Sequence, residues 1–154
     1  MEKTKEELLL HITRLEAVLD SLPFDVWMKD RQGRYVYVNQ NVSDDTGLPK
    51  EEIIGKTDYD LYDEKDAASY AESDKEVLSG KDRGVYVSQL EKGSFEEYKR
   101  VVHGPDGQLL GTAGYSKDIT QKEIIRAELA RSEERFRTIF EEAPMGIAIF
   151  DSRT

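Results

Sequence analysis

Apolar positions near the N-terminus fall at Leu8, Ile12, Leu15, Leu19 and Leu22, spaced alternately four and three apart. This predicts an amphipathic helix over 1–22, opened by a Thr4/Glu7 capping box and ended by Pro23. Three heptads fit a two-stranded coiled coil and a helix lying on its own domain equally well. Beyond Pro23 the period becomes two. Phe24–Lys29 and Arg34–Val38 read as a hairpin closed by Asp30-Arg31-Gln32-Gly33, with Gly33 free to take positive φ. Helical segments follow: one from about Asn39, one from Pro49 to Gly55, and a longer one from Asp63 or Glu64 to Gly80. Strands are predicted at Val85–Leu90, Phe95–His103 and Leu109–Lys117, punctuated by Glu91-Lys92-Gly93-Ser94 and Gly104-Pro105-Asp106-Gly107. Two strands, several helices and three strands make an α+β domain over 23–119. On the first strand, strict alternation would bury Phe24, Val26 and Met28 and expose Asp25, Trp27 and Lys29.

A second capping box, Thr120 and Glu123, opens an exit helix over 120–143, with Ile125, Leu129, Ser132, Phe136, Ile139 and Ala143 on one seam. Shifting the sequence by 121 positions reveals a repeat. Leu15–Pro23 aligns with Phe136–Pro144, and Val26–Asp30 with Ile147–Asp151. Only the prolines and the final aspartates are identical, so the repeat is one of pattern: helix, Pro, strand, Asp. Residues 144–154 read as the start of a second copy.

The length of 154 residues suits one domain with flanking elements. The net charge of −10 disfavours a nucleic-acid partner, whose affinity rests on clustered Lys and Arg. With no cysteine, disulfides, thiol nucleophiles, thiolate metal sites and covalent flavin chemistry are excluded. No apolar run approaches the roughly 18 residues of a membrane span, and the N-terminus lacks the pattern of a signal peptide, so a cytoplasmic location is expected.

Three stretches carry a family resemblance: Lys29-Asp30-Arg-Gln-Gly33-Arg-Tyr-Val-Tyr-Val-Asn39, Glu51-Glu-Ile-Ile-Gly55-Lys-Thr-Asp-Tyr-Asp-Leu61, and Gly111-Thr-Ala-Gly114-Tyr-Ser-Lys-Asp118-Ile-Thr120. In order and spacing, residues 15–123 resemble a PAS sensor domain with its C-terminal PAC extension, and Ser132–Asp151 resembles the start of another. The resemblance implies a five-stranded antiparallel sheet with helices on one face, around a small-molecule pocket or a ligand-free core. It implies a homodimer that passes signals through its flanking helices to a histidine kinase, a diguanylate cyclase or a related output. It also turns Trp27 and Lys29 toward the helices, reversing the face chosen by alternation, and points Thr112, Gly114 and Ser116 inward with Tyr115 outward. With Tyr37 and Asp74, these are the pocket candidates: Trp27, Lys29, Tyr37, Asp74, Thr112, Gly114 and Ser116. Leu8, Ile12, Leu15 and Leu19 are the expected dimer seam, and Asp118, Thr120 and Glu123 the expected relay, with Thr120 capping the exit helix.

Cofactor chemistry is constrained residue by residue. The helix expected to cover the pocket has no histidine, and His11 and His103 lie elsewhere, which argues against haem. Non-covalent flavin stays open, since Trp27 and several tyrosines could stack on a ring. Asp58, Asp60, Asp63 and Asp66 suggest a calcium loop, but Tyr62 occupies a ligand position and no closing Glu follows, so a helix cap and solvated charge are the expected reading. Asn41-Val42-Ser43 fits a glycosylation acceptor by chance. No nucleophile–base pairing, phosphate loop or metal spacing marks an active site. Ligand sensor, ligand-free dimerisation and relay module, and enzyme are the three function classes, the last disfavoured. Finally, Asp74 sits within the stripe Ala67, Tyr70, Ala71, Val77, Leu78, and a carboxylate so placed needs a cation. Lys29 is the expected partner, against the alternative of a solvated Asp74 at the stripe's edge.

Overall fold

In the computed structural model, residues 2–142 are described. They divide into two units, one ending at Asp118 and the other beginning at Ile119. The first begins with helix α1 (Lys5–Asp20), capped by Thr4, whose side chain accepts from the Glu7 N–H at 3.1 Å. A hairpin follows, β1 (Asp25–Asp30) and β2 (Tyr35–Val38). Its turn is held by the Asp30 carboxylate, which accepts from the N–H groups of Gln32 and Arg34 at 2.9 and 3.0 Å. Helices α2 (Gln40–Thr46), α3 (Lys50–Ile53), α4 (Asp58–Leu61) and α5 (Glu64–Leu78) then cross to β3 (Tyr86–Leu90), β4 (Gly93–His103) and β5 (Leu109–Asp118). The sheet is antiparallel in the order β2-β1-β5-β4-β3.

Register fixes which side chains meet. Trp27 lies opposite Gly114 and Lys29 opposite Thr112 on β5, which are in turn opposite Lys99 and Val101 on β4. All of these face the helices. Val26 and Met28 lie on the outer face, half-buried, opposite Tyr115 and Ala113. Strict alternation of polarity therefore chooses the wrong face of β1, because the inner face is itself polar. Gly114 makes this packing possible. A Cβ there would stand 2.0 Å from the Tyr98 carbonyl and 3.1 Å from the Trp27 ring. At Gly111 a Cβ would stand 1.9 Å from the Lys29 carbonyl.

The apolar core joins Trp27, Tyr35, Val38, Val42 and Ile53, with Leu48 and Leu61 against it. Asn39, fully buried, organises the junction of three elements. Its Oδ1 accepts from the N–H groups of Val26 (3.1 Å) and Val42 (3.4 Å), capping α2, while its Nδ2 donates to the carbonyls of Leu19 (2.8 Å) and Phe24 (3.0 Å). Nearby, Asp20 at the end of α1 accepts from the Gln40 N–H at 2.7 Å and pairs with Lys50 at 2.8 Å. The edge of β2 is covered by the turn after α3, where Tyr35 N–H donates to the Lys56 carbonyl and Gly55 N–H to the Tyr35 carbonyl.

No residue of α1 is buried, and Leu8, Ile12 and Leu15 are about half exposed, while Leu19 is half-buried near the junction. In the second unit, α6 (Thr120–Glu142) likewise buries none of its residues, and Ile125, Leu129, Phe136 and Ile139 stand exposed along it. The Glu123 N–H donates to the Ile119 carbonyl, so Ile119 takes the capping position and Thr120 is the first helical residue. The expected Thr120 cap is thus displaced by one, because β5 runs to Asp118 and leaves a single residue in which to turn. The strand expected in the second copy lies outside the described residues. Among those described, no helix is long and apolar enough to cross a membrane.

Candidate functional site

The site grows from five elements that each bring a polar side chain to the buried side of the sheet. β1 supplies Lys29, whose Nζ donates to Asp58 Oδ2 at 2.5 Å and to Asp74 Oδ2 at 2.8 Å. α4 supplies Asp58, whose Oδ1 accepts from the Tyr35 hydroxyl of β2 at 2.6 Å. α5 supplies Asp74, and β4 supplies Lys99, whose Nζ donates to Asp74 Oδ1 at 2.6 Å and to the Tyr70 carbonyl at 3.3 Å. The result is a continuous chain: Tyr35, Asp58, Lys29, Asp74, Lys99, Tyr70. Two ammoniums balance two carboxylates, and all four side chains are at least 88% buried.

Both ammoniums also face the single tryptophan, with Lys29 Nζ 4.9 Å and Lys99 Nζ 5.3 Å from the Trp27 ring. Burial pulls the Lys99 ammonium below the ordinary lysine range, assisted by Lys29 and opposed by Asp74. The Tyr35 hydroxyl is driven up, by burial first and by neighbouring Tyr62 and Asp58 next, so it serves as a hydrogen-bond donor rather than an acid.

Beside this chain lies a cavity of about 40 Å³, walled by Trp27, Tyr62, Tyr70, Glu97, Asp25 and Ser116 among others. Glu97, 6% exposed, accepts from the Ser88 hydroxyl at 2.7 Å. At the other side Asp25 accepts from Asn41 Nδ2 at 2.7 Å. Burial chiefly, and the Asp45 carboxylate after it, push Asp25 up to about 6 against the effect of that hydrogen bond. Lys92 stands over the Phe95 and Tyr62 rings at 4.9 and 5.4 Å. A second, more open groove of about 250 Å³ reaches Asp58 and Asp74 from the side of the Arg31–Gly33 turn.

Of the residues singled out from sequence, Trp27, Lys29 and Ser116 line the cavity, and Asp74 meets Lys29 directly behind it. Thr112 and Gly114 face the same side of the sheet without lining the cavity; Thr112 is buried, and Gly114 makes room for Trp27. Tyr37 does not belong to the site. A register shift between Met28 and Lys29 leaves Tyr37 opposite Met28 on the outer face. Its hydroxyl is buried there without a partner. Sequence reasoning missed Asp58, Lys99, Tyr35 and Glu97. The sequence groups Asp58 with solvated charge, although Thr57 and Asp60 signal a helix start. The Asp60 carboxylate accepts from both the N–H and the hydroxyl of Thr57, which turns Asp58 inward at the first helical position.

The profile of the PAS fold matches residues 19–124. The chain belongs to the PAS fold family. A second profile, of the PAS domain, matches residues 134–154, the stretch where the repeat begins. Among curated proteins, the chain is 27% identical over 135 residues to the methanogenesis regulatory histidine kinase FilI of Methanothrix harundinacea, covering 85% of this chain and 15% of the kinase. It is 26% identical over 121 residues to a diguanylate cyclase of Vibrio cholerae, covering 74% of this chain and 38% of the cyclase. The chain therefore spans well under half the length of either relative. Among solved structures, the PAS domain of Bordetella pertussis BvgS aligns with a TM-score of 0.62 at 18% identity, over 81% of this chain and 98% of that domain. The phage VqmA–DPO complex aligns with a TM-score of 0.59 at 25% identity, over 80% of this PAS chain and 59% of VqmA.

Proposed function

We propose that this PAS chain is a non-enzymatic sensing module of a bacterial-type signalling protein of the histidine kinase or diguanylate cyclase class. In this reading it binds a small molecule on the helix side of its sheet and relays the change through its flanking helices. The observation that carries the proposal is the cavity beside Trp27: partly polar, walled by aromatic rings and lined from seven separate elements, as small-ligand sites commonly are. Likeness to a VqmA complex holding DPO supports it, and likeness to segments of a kinase and a cyclase supports the signalling role. Dimerisation through the exposed seam of α1 belongs to the same proposal, with Asp118, Thr120 and Glu123 as the path into α6. The proposed location is cytoplasmic.

A second reading, a ligand-free relay module, is favoured by one observation. The four charges on the helix side of the sheet already satisfy one another without a ligand. Thermal-shift screening of small-molecule mixtures separates the two. A binder is expected to raise Tm by several degrees in the parent chain and to do nothing for Ser116→Leu, which fills the cavity from β5. Silence across the screen supports the ligand-free reading.

A further inference from the structure

The charges around the cavity do not balance. Its walls and the chain behind them hold four carboxylates, Asp25, Asp58, Asp74 and Glu97, against three ammoniums, Lys29, Lys92 and Lys99. Asp58 and Asp74 are fully engaged by Lys29 and Lys99. Among the described residues Glu97 and Asp25 belong to no ion pair: Glu97 accepts from the Ser88 hydroxyl and Asp25 from the Asn41 amide, with Lys99 and Lys92 acting on them only from farther off. Glu97 is nonetheless more than nine-tenths buried. A buried carboxylate with no cation in contact is costly, and the remedy is to supply one.

We propose, resting on the sensing reading above, that the cavity takes a small cation, a protonated amine head group, held between Glu97 and Asp25 against the Tyr62 and Tyr70 rings. The lining and the pairs behind it carry a surplus of one negative charge, and the Asp45 carboxylate beside Asp25 adds to it, so an ammonium is favoured by both. The walls are aromatic, which suits a cation and is already used that way by Lys29 and Lys99 over Trp27. An anion is less well served. Lys29 and Lys99 each already give two of their three hydrogens to Asp58, Asp74 and the Tyr70 carbonyl, so a carboxylate or phosphate would find one hydrogen on each, beside carboxylates that repel it. Size bounds the head group: at roughly 10–15 Å³ of such space per water, 40 Å³ admits about three or four non-hydrogen atoms.

The test compares probes of nearly one size and three charges on the 154-residue chain: ethylammonium, ethanol and acetate at equal ionic strength and pH 7. Trp27, the only tryptophan and a wall of the cavity, is the fluorescence reporter. A saturable change with ethylammonium, at least tenfold tighter than with ethanol and absent with acetate, is expected. Glu97→Gln keeps the acceptor for Ser88 and removes the charge, so it should weaken ethylammonium at least tenfold. Asp25→Asn, which keeps the acceptor for Asn41, should weaken it as well, and either variant remains informative if the other fails to fold. Saturable binding of acetate or ethanol in preference to ethylammonium overturns the cation while leaving a sensor. Undiminished ethylammonium binding in both variants overturns the assigned carboxylates. No response to any probe overturns the cation and removes support from the sensing reading with it.

Discussion

Asp74 shows how a single side chain can be shared in a way that a pairwise reading cannot capture. It accepts from Lys29 on one oxygen and from Lys99 on the other. Asp74→Leu leaves Lys99 with only the Tyr70 carbonyl and is expected to cost about 3–5 kcal/mol, the usual loss when one partner of a buried pair is removed. The informative rescue is Asp74→Leu with Lys99→Met, because Lys29, Asp58 and Tyr35 then remain paired among themselves. Substituting Lys29 and Asp74 together strands Asp58 and Lys99 and should rescue nothing. Urea unfolding of the single and double variants gives this order directly. Asp25 supplies a second prediction at this scale. Its pKa of about 6 lies above that of the unfolded chain, so the folded form binds more protons and stability falls as pH rises from about 4 to 6. Asp25→Asn should therefore gain about 1–2 kcal/mol at pH 7 and nothing below pH 4, as read from Tm against pH.

At the scale of elements, the junction of α1, β1 and α2 rests on Asn39, whose amide serves four backbone groups at once. Asn39→Ala removes the α2 cap and leaves buried donors and acceptors unpaired, an expected loss of about 3–4 kcal/mol measurable by denaturant unfolding. Here the sequence was readable, since the turn, the helix start near Asn39 and the long helix ending before Gly80 all follow from local chemistry. So were all five strands, within a residue or two of their ends. The Asp63 cap was also legible, its carboxylate accepting from the Asp66 N–H at 2.8 Å. Legibility ended where the inner face turned polar. On β4, Phe95, Glu97, Lys99 and Val101 face one way while Tyr98 and Val102 lie among the residues facing the other, so alternation gives no preference and Lys99 goes unnoticed. Lys29 was placed by family resemblance, and Asp74 by helical spacing. Tyr37 was misplaced by the shifted register of a short strand, which no periodicity announces.

At the scale of the whole chain, two helices carry apolar seams that stand exposed among the described residues. For α1 the expected outcome is self-association: sedimentation should find a dimer that Leu15→Glu converts to a monomer while far-UV circular dichroism of the domain persists. A monomeric parent, indifferent to that substitution, speaks against the seam. The attachment of α1 has a further consequence. Its terminal Asp20 is tied to Lys50 by a pair whose side chains are 26–32% exposed, whereas the interior pairs are 3–12% exposed. Counterions reach the former and not the latter, since screening shortens to about 3 Å at 1 M salt only where solvent penetrates. Ionic strength thus acts as a selective solvent for one joint, loosening the leading helix from its domain while the polar interior keeps its geometry. Amide exchange at Gln40, whose N–H Asp20 accepts, should quicken with salt well before Trp27 senses any change.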